Sequence, residues 1–179
     1  MREICDGYVS ILCIQACTHF KLFSITSIDT TALDAILRDE TARAAHIRAL
    51  ADFARTDGYN GVTVDYRGVD FNKSAAFSKF IASLAEELHK QNKRLTVVVE
   101  TPAKVGASWS TGGYDWRAIG ASADFVEIPL GDNPTAYGDG TADEMLAWAV
   151  GEVSRQKVLL ATSALSVDSV AGGYAPTGW

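Results

Sequence analysis

The chain has 179 residues, 47% hydrophobic and 21% charged, the composition of one ordinary globular domain with room for a real core. Its net charge of −6 comes without any basic stripe or basic amphipathic helix. That argues against a nucleic-acid partner, because phosphate binding needs clustered Lys and Arg.

The first apolar stretch, Tyr8 to Cys17, is too short and too interrupted to span a membrane, and Glu3 and Asp6 spoil it as a leader. Val9, Leu12, Cys13 and Ala16 fall at helical spacing and predict a helix over Val9–Thr18. The three cysteines, Cys5, Cys13 and Cys17, give no disulfide framework. Cys13, Cys17 and His19 match no common zinc spacing and lack a fourth ligand, so the cysteines read as small buried hydrophobes. No metal and no other cofactor is expected.

The alternating, β-branched run Lys21–Ser27 predicts a strand. A short helix follows over Thr31–Leu37. A longer one covers Ala42–Arg55, with Ala45, Ile47, Leu50, Ala51 and Phe53 on its apolar side and Gly58 as a left-handed cap. Gly61–Asp65 is the next strand, and Asn72 is placed to cap a helix over Lys73–Gln91. That helix carries Phe77, Phe80, Ile81, Leu84 and Leu88 on one face. Arg94–Glu100 is a strand, followed by a Gly/Ser-rich loop, KVGASWSTGG, and a short helix over Asp115–Ile119. Asp124–Leu130 is a strand. Thr141–Glu144 reads as a capping box opening a helix to about Ser154, and Lys157–Ser163 is the last strand.

Strands alternate with helices and are apolar on both faces, as in parallel sheets covered by helices. An open doubly wound sheet and a (β/α) barrel both fit that order. No Gly-rich phosphate fingerprint follows any strand, which counts against a nucleotide fold. Polar residues gather after the strands instead: Ser27, Asp65, Arg67, Glu100, Asp132 and Ser163. In a barrel those positions line the C-terminal rim, where active sites lie.

Three stretches, GYNGVTVDYRGVD, FSKFIASLAEELHKQNKRLTVVVETP and YDWRAIGASADFVEIPLGDNP, together resemble glycoside hydrolase family 18 in order and spacing. The resemblance is to its chitinase-like, spore-cortex and cell-wall branch. It extends over roughly Ala16–Asp168, with Lys21–Leu50 fitting the third barrel strand and its helices, and Lys157–Asp168 the seventh. It implies a (β/α) TIM-barrel fold of which this chain covers about strands 3 to 7. A complete barrel takes ~250 residues, so residues 1–179 read as a single domain that is part of a longer chain. The final GGYAPTGW reads as a loop in mid-course. The resemblance further implies an N-acetylglucosamine-containing glycan, of chitin or peptidoglycan type, as partner. It also implies a cell-envelope or extracytoplasmic setting and an attached peptidoglycan-binding module outside this chain.

Family members carry D-G-x-x-x-D-x-E on the fourth strand. The Glu protonates the glycosidic oxygen, and the last Asp orients the substrate acetamido group that acts as nucleophile, an exception to the two-carboxylate scheme. Here Gly61 and Asp65 match, Asn60 stands for the first Asp, and Arg67 stands where the acid belongs. After the sixth strand Asp132 matches the family's Tyr-Asp pair, with Gly131 in place of Tyr. Arg cannot be a general acid near neutral pH, and losing that acid removes a factor of roughly 10²–10⁴. Asp65 and Glu100 are therefore the candidate catalytic residues, Glu100 as a relocated acid on the same rim. Arg67, Asp132, Trp109 and Glu127 are the candidate substrate-binding residues.

Arg67 and Asp65 share one face of the strand. A guanidinium there suits a carboxylate such as a muramyl lactyl group, while a structural ion pair among Asp65, Arg67 and Glu127 explains the same residues equally well. Trp109, between Ser108 and Ser110 in the Gly/Ser-rich loop, suits a sugar face, whereas Trp116 and Tyr114 fit packing as readily. His46 and His89 are expected at the surface. Asp168 and Tyr174 fall in the loop after the last strand.

Overall fold

The computed structural model describes residues 9–10, 21–130, 139–161, 166–170 and 173–177. Its main sheet contains β1 (Val9–Ser10), β2 (Leu22–Ser27), β3 (Gly61–Tyr66), β4 (Arg94–Val98), β7 (Phe125–Pro129) and β8 (Val158–Ala161), side by side in that order. β2, β3, β4, β7 and β8 run parallel. Between them lie α1 (Thr30–Arg38), α2 (Glu40–Thr56), α3 (Ser74–Lys90), α4 (Trp116–Ser122) and α5 (Thr141–Glu152). The parallel strands lie in chain order with no reversal. A doubly wound sheet reverses its order at a switch point, so this is the order of consecutive barrel staves.

Each element has a local cause. Asp29 and Asp39 are the N-caps of α1 and α2, their carboxylates accepting from the second and third helical N–H groups at 2.7–3.1 Å. Gly58 ends α2 at φ 68°. Gly61 opens β3 because a Cβ there would lie 2.2 Å from the Arg94 carbonyl oxygen. Along β3, Val62, Val64 and Tyr66 face the helices, where the Tyr66 ring stacks on Phe80. Gly61, Thr63 and Asp65 therefore face the opposite, inner side. Phe77, Phe80, Ile81, Leu84 and Leu88 of α3 are all completely buried, as their spacing predicts.

The structure corrects several expectations. Val9–Ser10 is a strand antiparallel to β2, not the start of a helix, and the rest of that predicted helix lies outside the described residues. Asn72 does not cap α3. It sits inside a 3₁₀ turn, Phe71–Lys73, whose cap is Asp70, and α3 starts at Ser74. The Thr141 box is displaced likewise: Gly140, at φ 83°, precedes the helix, and Asp139 accepts from the Thr141 amide at 2.8 Å. The Gly/Ser-rich loop contains a hairpin, β5 (Ala103–Val105) with β6 (Ser108–Ser110). The final segment is also a hairpin, β9 (Ser166–Val170) with β10 (Gly173–Thr177), which places Asp168 and Tyr174 on strands rather than in a loop. Phe53 is 42% exposed and Ala54 takes its expected core place, although the Phe53 ring still lies 4.4 Å from that of Phe23. His46 is not a surface group; it packs beside both Tyr66 and Phe80.

Among the described residues no helix is long and apolar enough to cross a membrane. Nor does any group of three His, Cys, Asp or Glu side chains among them stand ready for a metal ion.

Candidate active site

The inner face of the sheet ends, at the C-terminal tips of its strands, in a cluster of charged groups. Parallel register sets Thr26 of β2 beside Asp65 of β3, and Val98 of β4 beside Glu127 of β7. Asp65 is largely enclosed, 18% exposed, and its carboxylate is ion-paired to Nε of Arg67, which is 31% exposed. The Thr26 hydroxyl reaches the second Asp65 oxygen at 3.5 Å. The Arg67 amide donates to the Ser27 carbonyl at 2.9 Å, which extends the β2–β3 pairing one residue past the strand.

Glu127 comes to the same cluster from β7. Burial raises its carboxyl above the ordinary carboxylate range, the negative charge of Asp65 raises it further, and Arg67 opposes both. Of the ion pair expected among Asp65, Arg67 and Glu127, the Asp65–Arg67 contact is present; Glu127 adds its charge nearby.

Glu100 stands just beyond the end of β4 and is engaged with a loop. Its Oε1 accepts from the Gly68 amide at 2.8 Å and from the Tyr114 hydroxyl at 3.4 Å. The same hydroxyl donates to the Tyr66 carbonyl at 2.6 Å. Burial and the Glu100 charge together push the Tyr114 phenol well above its usual range, so it stays a donor. Gly113 completes the strap, since a Cβ there would lie 2.3 Å from the Val69 carbonyl oxygen. Gly68 turns at φ 69° directly after Arg67. Tyr114 is 1% exposed, which makes it a fastener of the Arg67 loop and not a sugar platform.

Trp109 lies on β6, half-buried, with the Trp148 ring centroid at 6.1 Å and the Lys104 ammonium 6.0 Å from its own centroid. Trp116 is buried core, 5.0 Å from Trp148. Asp132 lies outside the described residues. Sequence reasoning passed over Phe71, an aromatic ring 77% exposed in the turn after β3. Its position between a strand end and a helix, in the run VDFNK, was the available signal.

The model of glycosyl hydrolases family 18 matches residues 18–149. The chain belongs to this family. It is 26% identical over 156 residues to the uncharacterized glycosylase YvbX of Bacillus subtilis (strain 168), covering 81% of this chain and 44% of that protein. A class V chitinase from Pseudomonas fluorescens Pf-5 superposes with a TM-score of 0.63 at 26% identity, over 74% of this chain and 44% of the other. The spore cortex-lytic enzyme SleL of Bacillus megaterium QM B1551 superposes with a TM-score of 0.71 at 17% identity, over 87% of this chain and 39% of the other. That last likeness is one of fold. The chain spans less than half the length of these three relatives.

Family 18 membership settles the choice of architecture. The fold is of the (β/α) barrel type, and β2, β3, β4, β7 and β8 are its five consecutive parallel staves. The Asp65–Arg67–Glu127 cluster then lies at the C-terminal ends of barrel strands, where this architecture places its chemistry.

Proposed function

We propose that this family 18 domain binds N-acetylglucosamine-containing glycans, of chitin or peptidoglycan type, and that its ordinary acid chemistry is impaired because Arg67 occupies the place of the catalytic acid. The observation that carries this reading is the Asp65–Arg67 ion pair on the inner face at the end of β3. Asp65 keeps a carboxylate where an acetamido or hydroxyl group can be held. Arg67 offers no proton near neutral pH and ties up the Asp65 oxygen that faces it.

The test is incubation of the chain with chitin oligomers and peptidoglycan fragments, with binding followed by titration and products by mass spectrometry. Binding without turnover, weakened in Asp65→Ala, is expected. Rapid hydrolysis by the unmodified chain defeats the impaired-acid reading.

A second reading, an active glycosidase with a relocated acid, is favoured by one observation. Glu127 sits half-buried on the same face, where burial and the charge of Asp65 raise its carboxyl, and a raised carboxyl is the kind that glycosidic protonation uses. Glu100, the other carboxyl on this rim, is occupied in fastening the Arg67 loop. Under this reading turnover disappears in Glu127→Gln. Under the relocated-Glu100 version it disappears in Glu100→Gln instead.

A further inference from the structure

We propose that the cleft between α2 and α3, in the outer helical layer, is a binding site for the phosphate group of a small phosphomonoester. The cleft is separate from the rim, so it stands independently of the glycan reading above.

Where α2 and α3 pack side by side they leave a cleft of about 340 Å³, within the ordinary range of small-ligand sites, about 300–1,000 Å³. Helical spacing builds its walls. Lys79 and Ser83 are four residues apart on α3, and Ala44 and Arg48 four apart on α2, so each pair stands on one helix face and lines the cleft. Arg43 enters beside them. Ile47, 8% exposed and part of the core, closes the floor. The sheet lies between this layer and the inner face that carries Asp65 and Arg67.

Three cations thus share one cleft, and their partners decide what it takes. Arg43 is fixed in place, with 11% of its side chain exposed. One of its terminal nitrogens donates to the Leu37 carbonyl at 3.1 Å, and the other stands 3.9 Å from Glu40. Among the described residues the side chains of Arg48 and Lys79 have neither a hydrogen bond nor an ion pair, and the Ser83 hydroxyl has no partner. Two carboxylates also reach the cleft, but Glu87 is engaged with Lys90 at 3.2 Å and the Glu40 side chain is 87% exposed. The cleft lined by His89, Lys93, Arg94 and Asp124 is different, because its basic groups are all engaged within the protein. Asp124 holds His89 and Arg94, and Lys93 donates to the Tyr59 carbonyl.

A phosphomonoester matches the donors left over between α2 and α3. It carries nearly two negative charges and three terminal oxygens, enough acceptors for a guanidinium, an ammonium and a hydroxyl at once. A carboxylate, with one charge and two oxygens in one plane, meets the same donors less completely. A neutral ligand gains nothing from two free cations.

The test follows the backbone amide shifts of the whole chain by NMR at about pH 7.5, where a phosphate carries most of its second charge. Chloride holds the ionic strength constant, so bulk screening does not change. The probes are inorganic phosphate, glycerol 3-phosphate and acetate. Both phosphates are expected to give saturable shifts at the Arg48, Lys79 and Ser83 amides, with acetate about tenfold weaker or more. Arg48→Gln and Lys79→Gln, at exposed positions that the fold tolerates, are each expected to weaken phosphate binding about tenfold. Arg55→Gln removes a cation 62% exposed further along α2 and is expected to leave binding unchanged. Equal affinity for acetate overturns the phosphate assignment, and so does a loss in Arg55→Gln as large as in Arg48→Gln. Absence of saturable shifts at these amides overturns the site itself. None of these outcomes bears on glycan binding at the rim.

Discussion

Glu127 brings an ionisable group into a half-buried place on the inner face, beside the charge of Asp65, and its carboxyl is raised for both reasons. A carboxyl raised on folding contributes stability that is present below its unfolded value of about 4.3 and is lost as pH rises through its folded value. Glu127→Gln removes that loss. In urea titrations across pH 4–7 the variant is expected to gain on the parent as pH rises and then level off; a pH-independent difference defeats this account. His46 works in the opposite sense. Burial beside Tyr66 and Phe80 holds its imidazole below the usual range. The stability it contributes is present above about pH 6.5 and is lost as pH falls through the folded value. His46→Gln is expected to flatten that acid-side slope, a change visible in thermal midpoints between pH 7 and 5. Gly61 belongs to this scale too. Its Ala variant forces a Cβ against the Arg94 backbone, and a loss of about 3 kcal/mol or more in urea denaturation is expected, since neither strand can yield without breaking the β3–β4 register.

Between elements, the loop that carries Arg67 is fixed from outside itself. Glu100 and Tyr114, on either side of the β5–β6 hairpin, hold Gly68 and Tyr66 by hydrogen bonds, and Gly113 approaches the Val69 backbone closely. Tyr114→Phe leaves the Tyr66 carbonyl without this donor, a change worth about 1–3 kcal/mol when the group is buried. Faster hydrogen exchange at the Gly68 amide is expected in both Tyr114→Phe and Glu100→Ala. An unchanged Gly68 amide in Glu100→Ala shows that the loop does not depend on the strap. None of this was legible in the sequence, because it joins residues 32 and 48 positions apart by contacts no local pattern announces. The parallel strands and α3 were legible for the opposite reason: their apolar runs and 3.6-residue spacing are the packing itself. The β5–β6 hairpin failed to show because Ala103, Lys104 and Val105 are exposed and its second strand is mostly so, leaving no apolar alternation to read. Asp70 and Asp139 displaced the predicted caps because a turn intervenes before each helix. Of the site, the shared face of Asp65 and Arg67 followed from strand period alone, whereas the task Glu100 performs did not.

At the scale of the whole molecule, one cluster of buried side chains runs from Phe23 and Leu33 at one end of the sheet to Met145 and Val153 at the other. α3 sits at its middle, with α1 and α2 on one side, α4 on the other, and the sheet beneath. A stave arrangement of this kind has no separate halves to fall back on, because removing the central helix uncovers β3 and β4 together. Truncation there should therefore be felt as loss of the whole fold rather than as local loosening. Phe80→Ala removes a completely buried ring that touches His46, Tyr66 and Phe77, and is expected to cost about 3–5 kcal/mol. Against a typical total of about 5–15 kcal/mol, that brings the chain close to unfolding while keeping a single transition. Phe53→Ala, at a ring packed on Phe23 but already 42% exposed, should cost clearly less and leave the transition equally sharp. Urea denaturation followed both by tryptophan fluorescence and by circular dichroism distinguishes these cases. Trp109, Trp116 and Trp148 lie toward the α4–α5 side, so melting of the α1–α2 region in Phe80→Ala while tryptophan fluorescence holds shows that the core is two units.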